Sequence, residues 1–263
     1  MINPADLMNT AVQATGIALD LIRSVPRGRS TAKGDRDMAT ETDYAIERAV
    51  RAFLAERTPD IGFLGEEDGL SGSAGEWMWV LDPIDGTVNF VHGLPLCAVS
   101  LALLHGDRPV LGVIELPLLG ARFTAVEGHG AYENDMPVTV SQVSDLGSAV
   151  VATGDYSVSP DAADDNRVRL AVTAELAARA QRVRMLGSAA IDLVWLASGR
   201  LDASVTMGNN AWDMAAGVVI AREAGALVLD ADGTEHTTRY TATIAVSPGI
   251  RDDILAIVSR ASG

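Results

Sequence analysis

Apolar residues recur first at helical and then at strand spacing along the chain, and this change of period divides the sequence into regions. From Ala5 to Arg23 they fall three and four apart. Thr42 to Glu56 repeats the pattern through Ile46, Val50, Phe53 and Leu54, so both stretches read as amphipathic helices. Between them, Arg27–Asp37 is polar, charged and glycine-containing and reads as a loop. From Ile61 the period shortens. Ile61–Leu64, Trp77–Leu81, Ala98–Leu104, Val110–Leu116 and Arg122–Val126 read as strands separated by Gly, Pro or Asp turns. Glu127–Val140 adds short strand pieces around an Asn134-Asp135 turn. Beyond about Ser141 strands alternate with helices. Val150–Thr153, Arg182–Met185, Ala203–Thr206, Ala226–Leu229 and Ile244–Val246 are the strands; Asp165–Ala178, Ser188–Ala197, Trp212–Glu223 and Ile250–Ser259 are the helices.

A strand-rich first half followed by alternation predicts layered sheets and helices. The soft boundary lies in the Ser-, Gln-, Asp- and Gly-containing stretch 141–148, giving an N-terminal α+β half over 1–145 and a C-terminal α/β half over 146–263. There is no internal repeat.

The 263 residues are 48% hydrophobic, enough to bury a sizeable core. No apolar run is long enough to span a bilayer, and the N-terminal helix carries Asp6 and Asp20 rather than a basic leader, so neither a membrane span nor a signal peptide is expected. The single cysteine, Cys97, excludes an intramolecular disulfide and suits a reducing cytoplasm. The net charge of −15 argues against nucleic acid as a partner. It also means that a protein of this composition handling phosphate must supply positive charge locally, and divalent metal ions do so directly.

Three segments carry candidate chemistry. Leu64-Gly65-Glu66-Glu67-Asp68-Gly69 places acids in a row after a short apolar strand. Trp79 to Phe90 contains Leu81-Asp82-Pro83-Ile84-Asp85-Gly86-Thr87-Val88-Asn89. Ala211-Trp212-Asp213-Met214 opens a helix. In the second segment an apolar strand delivers Asp82 to its C-terminal end, and Pro83 is expected to stop the ladder. Asp82 and Asp85 can then converge, with the Ile84 carbonyl free as a ligand, an all-oxygen set that suits Mg²⁺. Gly86 admits close backbone approach, Gly86 and Thr87 offer N–H groups to an anion, and the Thr87 hydroxyl is placed to orient a water. Singly, each string has a plainer reading: a solvated acidic loop, a turn, and a first-turn helix acid favoured by the dipole. Their combination and order change that balance.

Together they resemble the inositol monophosphatases, within the wider lithium-sensitive phosphatases. Trp79–Phe90 is similar to that family's first signature, Trp212-Asp213 through Gly225 to its second, and Gly65-Glu66-Glu67 to its glutamate pair. Lys33-Gly34-Asp35 and Thr40-Glu41-Thr42-Asp43 are similar to its N-terminal lysine loop and Thr-x-x-Asp element. The resemblance covers roughly Ala5 to Ser259 and implies a layered α-β-α-β-α sandwich of the inositol monophosphatase and fructose-bisphosphatase type. It implies two or three Mg²⁺ ions per active site, one held by Glu66, Asp82 and the Ile84 carbonyl and another by Asp82, Asp85 and Asp213. Glu67 would support a metal-bound water, Thr87 paired with Asp43 would orient or deprotonate it, and the Gly86 and Thr87 N–H groups would bind phosphate. Water attack is then direct, with no Cys, Ser or His nucleophile. Members are often dimers, so a homodimer is one expectation.

The same resemblance places substrate contacts at Asp85, Gly187-Ser188-Ala189, Thr206 and Asp213. Inositol-hydrolysing relatives carry an acid where this chain has Thr206, which removes one strong hydroxyl acceptor. A small phosphorylated metabolite is expected, first a polyol monophosphate such as inositol phosphate. Histidinol phosphate, fructose 1,6-bisphosphate and 3′-phosphoadenosine phosphate are the alternatives, and a non-catalytic binding or regulatory protein on the same fold is the alternative of another class.

Overall fold

The computed structural model describes residues 2–24, 30–34, 37–72, 75–158, 162–239 and 242–262. Helix α1 (Pro4–Ser24) leads through strands β1 (Ser30–Gly34) and β2 (Asp37–Thr40) into α2 (Glu41–Arg57). Strands β3 (Gly62–Gly65), β4 (Gly69–Ser71) and β5 (Trp77–Asp85) follow, then the one-turn helix α3 (Thr87–Val91). A meander of β6 (Ala98–His105), β7 (Arg108–Leu116), β8 (Ala121–Val126), β9 (Ala131–Glu133) and β10 (Met136–Val138) completes the first sheet. Its order is β10-β9-β8-β7-β6-β5-β3-β4, antiparallel except where β3 runs parallel to β5. The second sheet draws on β11 (Val150–Thr153), β12 (Arg182–Arg184), β13 (Ala203–Met207), β14 (Leu227–Leu229) and β15 (Ala242–Val246), ordered β12-β11-β13-β15-β14. Helices α4 (Ala162–Arg179), α5 (Ala189–Ala197), α6 (Ala211–Glu223) and α7 (Arg251–Ser262) alternate with them.

The period-two pattern decides which layer each strand residue serves. Trp79 and Leu81 of β5, Leu101 and Leu103 of β6 and Val113 of β7 pack on α1 and α2 through Ala14, Ala18, Ile46 and Val50. Their neighbours Val80, Ala102 and Ile114 face the other way, against Ile191 and Val194 of α5 and Val218 and Ile220 of α6. The second sheet meets the same two helices with small residues, Ala152 and Ala245. Its outer face, Val151, Val205, Ile244 and Val246, packs on α4 and α7 through Val172, Leu176, Ile254 and Ile257. The result is the expected sandwich of helices, sheet, helices, sheet and helices. Helix α6 lies between two sheets, which is why its residues from Met214 to Ala221 are all buried. Each fully buried aliphatic side chain in these layers contributes about 1.5–3 kcal/mol.

Two expectations change. The Arg27–Asp37 stretch holds β1, which pairs antiparallel with β2; charged residues and glycine without apolar alternation concealed the hairpin. The side chain of Lys33, and Asp35 altogether, lie outside the described residues. Pro83 does not stop its ladder either. Strand β5 runs on to Asp85, pairing Asp82 with Ser100 and Asp85 with Ala98, so three steps on β5 oppose two on β6. Pro83 is accommodated in that bulge, where no ladder N–H is required.

Candidate active site

The bulge in β5 aims the signature acids. Asp82 is 2% and Asp85 8% exposed. Burial above all, then the charges of Glu66, Asp85 and Asp213 and a hydrogen bond with Glu66, push the Asp82 carboxyl well above the ordinary carboxylate range. Asp85 is raised by burial and, less strongly, by Asp213. Hydrogen bonds from the Ser188 hydroxyl and from the Ala189 and Ala190 N–H groups oppose this, and its carboxyl stands at about 7. Those bonds fasten Asp85 to the start of α5: Ser188 donates to Oδ2, Ala190 N–H donates to Oδ2 at 2.8 Å, and Ala189 N–H to Oδ1 at 3.3 Å. Ser188 Oγ accepts in turn from Ile191 N–H at 3.2 Å, so one serine caps the helix and binds the acid.

After Asp85 the chain turns sharply. Gly86 adopts φ 83°, and a Cβ there would lie 2.8 Å from the Leu96 carbonyl oxygen and 3.0 Å from that of Gly187. Only glycine meets both demands. Gly86 caps α3, whose first N–H groups have no partner within the helix. The Thr87 hydroxyl donates to the Ile84 carbonyl at 2.9 Å. Asn89 Nδ2 donates to the carbonyls of Leu96 and Leu186, each at 2.8 Å, and so staples the turn to the segment leading into α5.

The glutamate pair follows β3, where Glu66 N–H donates to the Leu81 carbonyl at 3.2 Å. Its turn is held from behind by a residue that the sequence did not single out. The fully buried Glu47 of α2 accepts from Glu67 N–H at 2.8 Å and Asp68 N–H at 2.9 Å, and pairs with Arg51 at 2.5 Å. Gly65 leaves the space this requires, since a Cβ there would overlap the Glu47 carboxyl group. Asp213 lies on the first turn of α6 and accepts from Asn210 N–H at 2.7 Å.

One cavity of about 260 Å³ collects these parts: Glu66, Asp85, Gly86, Thr87, Gly187, Ser188, Ala189, Thr206 and Asp213 all line it. Asp82 and Ile84 are buried immediately behind that wall on β5. Asp43 is fully buried on the first turn of α2, and Glu67 is half-buried beside Glu66. Val88, Gly154, Asp155, Asp192, Gly208 and Asn209 complete the lining and were not foreseen.

The acids fit a divalent cation. Among the described residues Asp82 Oδ1 is buried with no hydrogen-bond partner, and Asp82 is crowded by Glu66, Asp85 and Asp213 in a site with no basic residue among the described lining. Among the described residues no three acid, imidazole or thiolate groups stand close enough together, as the side chains lie, to hold one metal ion between them. An open, all-oxygen wall matches an ion that keeps several waters and takes phosphate oxygens as ligands.

A profile of the inositol monophosphatase family matches residues 3–262. The chain belongs to the inositol monophosphatase family, and with it to the phosphoric monoester hydrolases. It is 40% identical over 226 residues to the probable inositol 1-monophosphatase ImpA of Mycobacterium tuberculosis, covering 86% of this chain and 83% of that protein. To the Nus factor SuhB of Pasteurella multocida it is 36% identical, covering 95% and 94%. The crystal structure of the extragenic suppressor protein suhB from Bartonella henselae superposes with a TM-score of 0.89 at 33% identity, covering 97% of this chain and 99% of that one. No helix among the described residues is long and apolar enough to cross a membrane.

Proposed function

We propose that this family member is a Mg²⁺-dependent phosphatase that hydrolyses inositol monophosphate or a similar polyol phosphate by direct attack of water. The carrying observation is the single cavity wall that joins carboxylates from β5, the β3 turn and α6 to the backbone turn at Gly86-Thr87. Glu66, Asp82 and the Ile84 carbonyl would hold one ion, and Asp82, Asp85 and Asp213 a second. When bound, such ions lower the pKa of a coordinated water and neutralise charge on the leaving oxygen of an in-line displacement.

The chain's own groups do the rest. The Gly86 and Thr87 N–H groups bind the phosphoryl oxygens and stabilise their charge as it redistributes. Thr87, its hydroxyl proton fixed on the Ile84 carbonyl, presents Oγ1 as an acceptor that orients the attacking water. Asp85, tethered to Ser188 and Ala190, cannot swing away as substrate enters. Asp43 and Glu67 act from behind that front, Glu67 through the turn that Glu47 secures.

The name of the Pasteurella relative motivates a second, regulatory reading, and the net charge of −15 opposes its simplest form, a direct nucleic-acid contact. Phosphate release decides between them. Inositol 1-phosphate, histidinol phosphate, fructose 1,6-bisphosphate and adenosine 3′,5′-bisphosphate are incubated with the wild-type chain and with Asp82→Asn, with and without Mg²⁺. Mg²⁺-dependent turnover of inositol 1-phosphate that is lost in the variant supports the proposal. Folded protein that turns over none of the four would overturn it.

A further inference from the structure

A buried chain of polar contacts runs from the wall of the cavity into the second sheet. Asn209, which lines the cavity between β13 and α6, donates from Nδ2 to Thr243 Oγ1 at 2.9 Å. Thr243 Oγ1 stands 3.3 Å from His236 Nε2. Thr243 is fully buried and His236 is 2% exposed. Thr243 shares with Ala245 the face of β15 that meets α5 and α6. His236 is held in place by its backbone. Its N–H donates to the Val228 carbonyl at 3.2 Å, and its carbonyl accepts from Arg222 Nη2 at 2.5 Å. Polar groups bonded to one another at this depth rigidify whatever they are attached to.

The direction of the bonds follows from the ring. Burial above all, then the Arg222 charge, push the His236 imidazole down to about 4 against a hydrogen bond with the Ala242 backbone. At neutral pH the ring is therefore uncharged, with one nitrogen donating and the other accepting. The Asn209 Nδ2 can only donate, so Thr243 accepts from it and its own proton is left for His236 Nε2. Bonds that run one way hold the Asn209 side chain in one orientation. What this fixes is the next peptide unit. The Asn210 N–H belongs to the peptide that joins 209 and 210, and it donates to Asp213 Oδ2 at 2.7 Å. Gly208, at φ 88°, restrains the loop little by itself, so the side-chain anchor sets it. We infer that His236 and Thr243 are positioning residues: through Asn209 they aim the Asn210 N–H at Asp213 and so set that carboxylate for its metal ion. Neither lines the cavity. The inference rests on the phosphatase reading above and names the residues that act behind one of its metal ligands.

The test measures Mg²⁺ binding to the full chain by titration calorimetry without substrate, beside the Mg²⁺ dependence of inositol 1-phosphate hydrolysis. Thr243→Val removes the hydroxyl and keeps the shape, and His236→Phe removes the acceptor. Each should weaken Mg²⁺ about tenfold in both assays, the scale for groups that orient metal ligands, while kcat at saturating Mg²⁺ recovers most of its wild-type value. Thr243→Val alone decides where His236→Phe fails to fold. Thr243→Ser keeps the hydroxyl, and His236→Gln offers Oε1 in place of Nε2, so both should bind Mg²⁺ as wild type does. Asn209→Ala should weaken Mg²⁺ as much as Thr243→Val, and the double variant no further, because the two act in one chain. Side chains kept only for packing would lower the melting temperature of Thr243→Val without moving its Mg²⁺ affinity. That result, or additive losses in the double variant, overturns the inference while leaving the phosphatase reading intact. A wild type that neither binds Mg²⁺ nor hydrolyses the ester overturns both.

Discussion

Glu47 offers the most direct test of how the site is held. Its carboxylate receives the Glu67 and Asp68 N–H groups at 2.8 and 2.9 Å and the Arg51 guanidinium at 2.5 Å. In Glu47→Gln one oxygen becomes an NH₂ that faces a donor. One hydrogen bond to a charged acceptor is lost, about 1.5–3 kcal/mol, and a neighbouring N–H is left unpaired. Arg51, whose side chain is 24% exposed, loses its ion pair but can still reach water. The sum is about 3 kcal/mol. With an unfolding entropy of about 2.1 cal/mol/K per residue, a chain of this length melts roughly 5 °C lower. Because the released turn carries Glu66, the Mg²⁺ concentration for half-maximal activity should also rise about tenfold, the usual scale for groups that orient metal ligands. Scanning calorimetry and a Mg²⁺ titration of phosphate release check both. A melting temperature within 1 °C of wild type, with an unmoved Mg²⁺ midpoint, would refute the argument.

The neighbouring Gly65→Ala drives a methyl group into the Glu47 carboxyl and should destabilise by about 2 kcal/mol in urea unfolding; an unshifted midpoint would show that the turn has slack. Asp82→Asn removes a buried acid whose ionisation burial and the neighbouring carboxylates oppose, so the metal-free variant should melt above metal-free wild type, whereas Mg²⁺ should raise the melting temperature of wild type only. Asp85 titrates near 3.8 when unfolded and about 7 when folded. Between those values the folded chain holds a proton that the unfolded chain has lost, so the Asp85 contribution to the stability of metal-free protein should fall as pH rises from about 4 to about 7 and then level off, while His236, pushed down to about 4 by burial, acts in the opposite sense over part of that range. The difference in stability between wild type and Asp85→Asn, measured in a denaturation series across that range, checks the sign, and a difference that moves in favour of wild type as pH rises would contradict it; saturating Mg²⁺ should flatten the slope.

Most of the layering could be read from the chain because neighbouring residues of a regular strand face opposite ways, so Val80 and Leu81 of β5 must serve opposite layers. The acids could be read because Asp82, Asp85 and Gly86 are consecutive enough for local geometry to bring them together. Glu47 escaped notice since it sits one turn before Arg51, and such a pair on a helix ordinarily marks a solvated face. Its burial depends on the β3 turn twenty residues later, which no local pattern encodes. Asp192 was concealed likewise: an acid in the first turn of a helix suits the dipole, and only the folded chain shows it buried, its Oδ1 without a hydrogen-bond partner among the described residues. Helix α3 is too short for a period to be seen.

The bonds between Asp85 and the start of α5 join residues 103, 104 and 105 positions apart. During synthesis the strand that presents Asp82 and Asp85 therefore leaves the ribosome long before Ser188, Ala190 and Asp213 exist. Until they arrive, the growing chain carries a cluster of mutually repelling acids with neither the helix end nor the last carboxylate in place. Closure of contacts so distant in sequence is slow, and here the closing contact and the working site are the same event. The first turnover of a newly made molecule would thus mark the moment its two sheets have locked together.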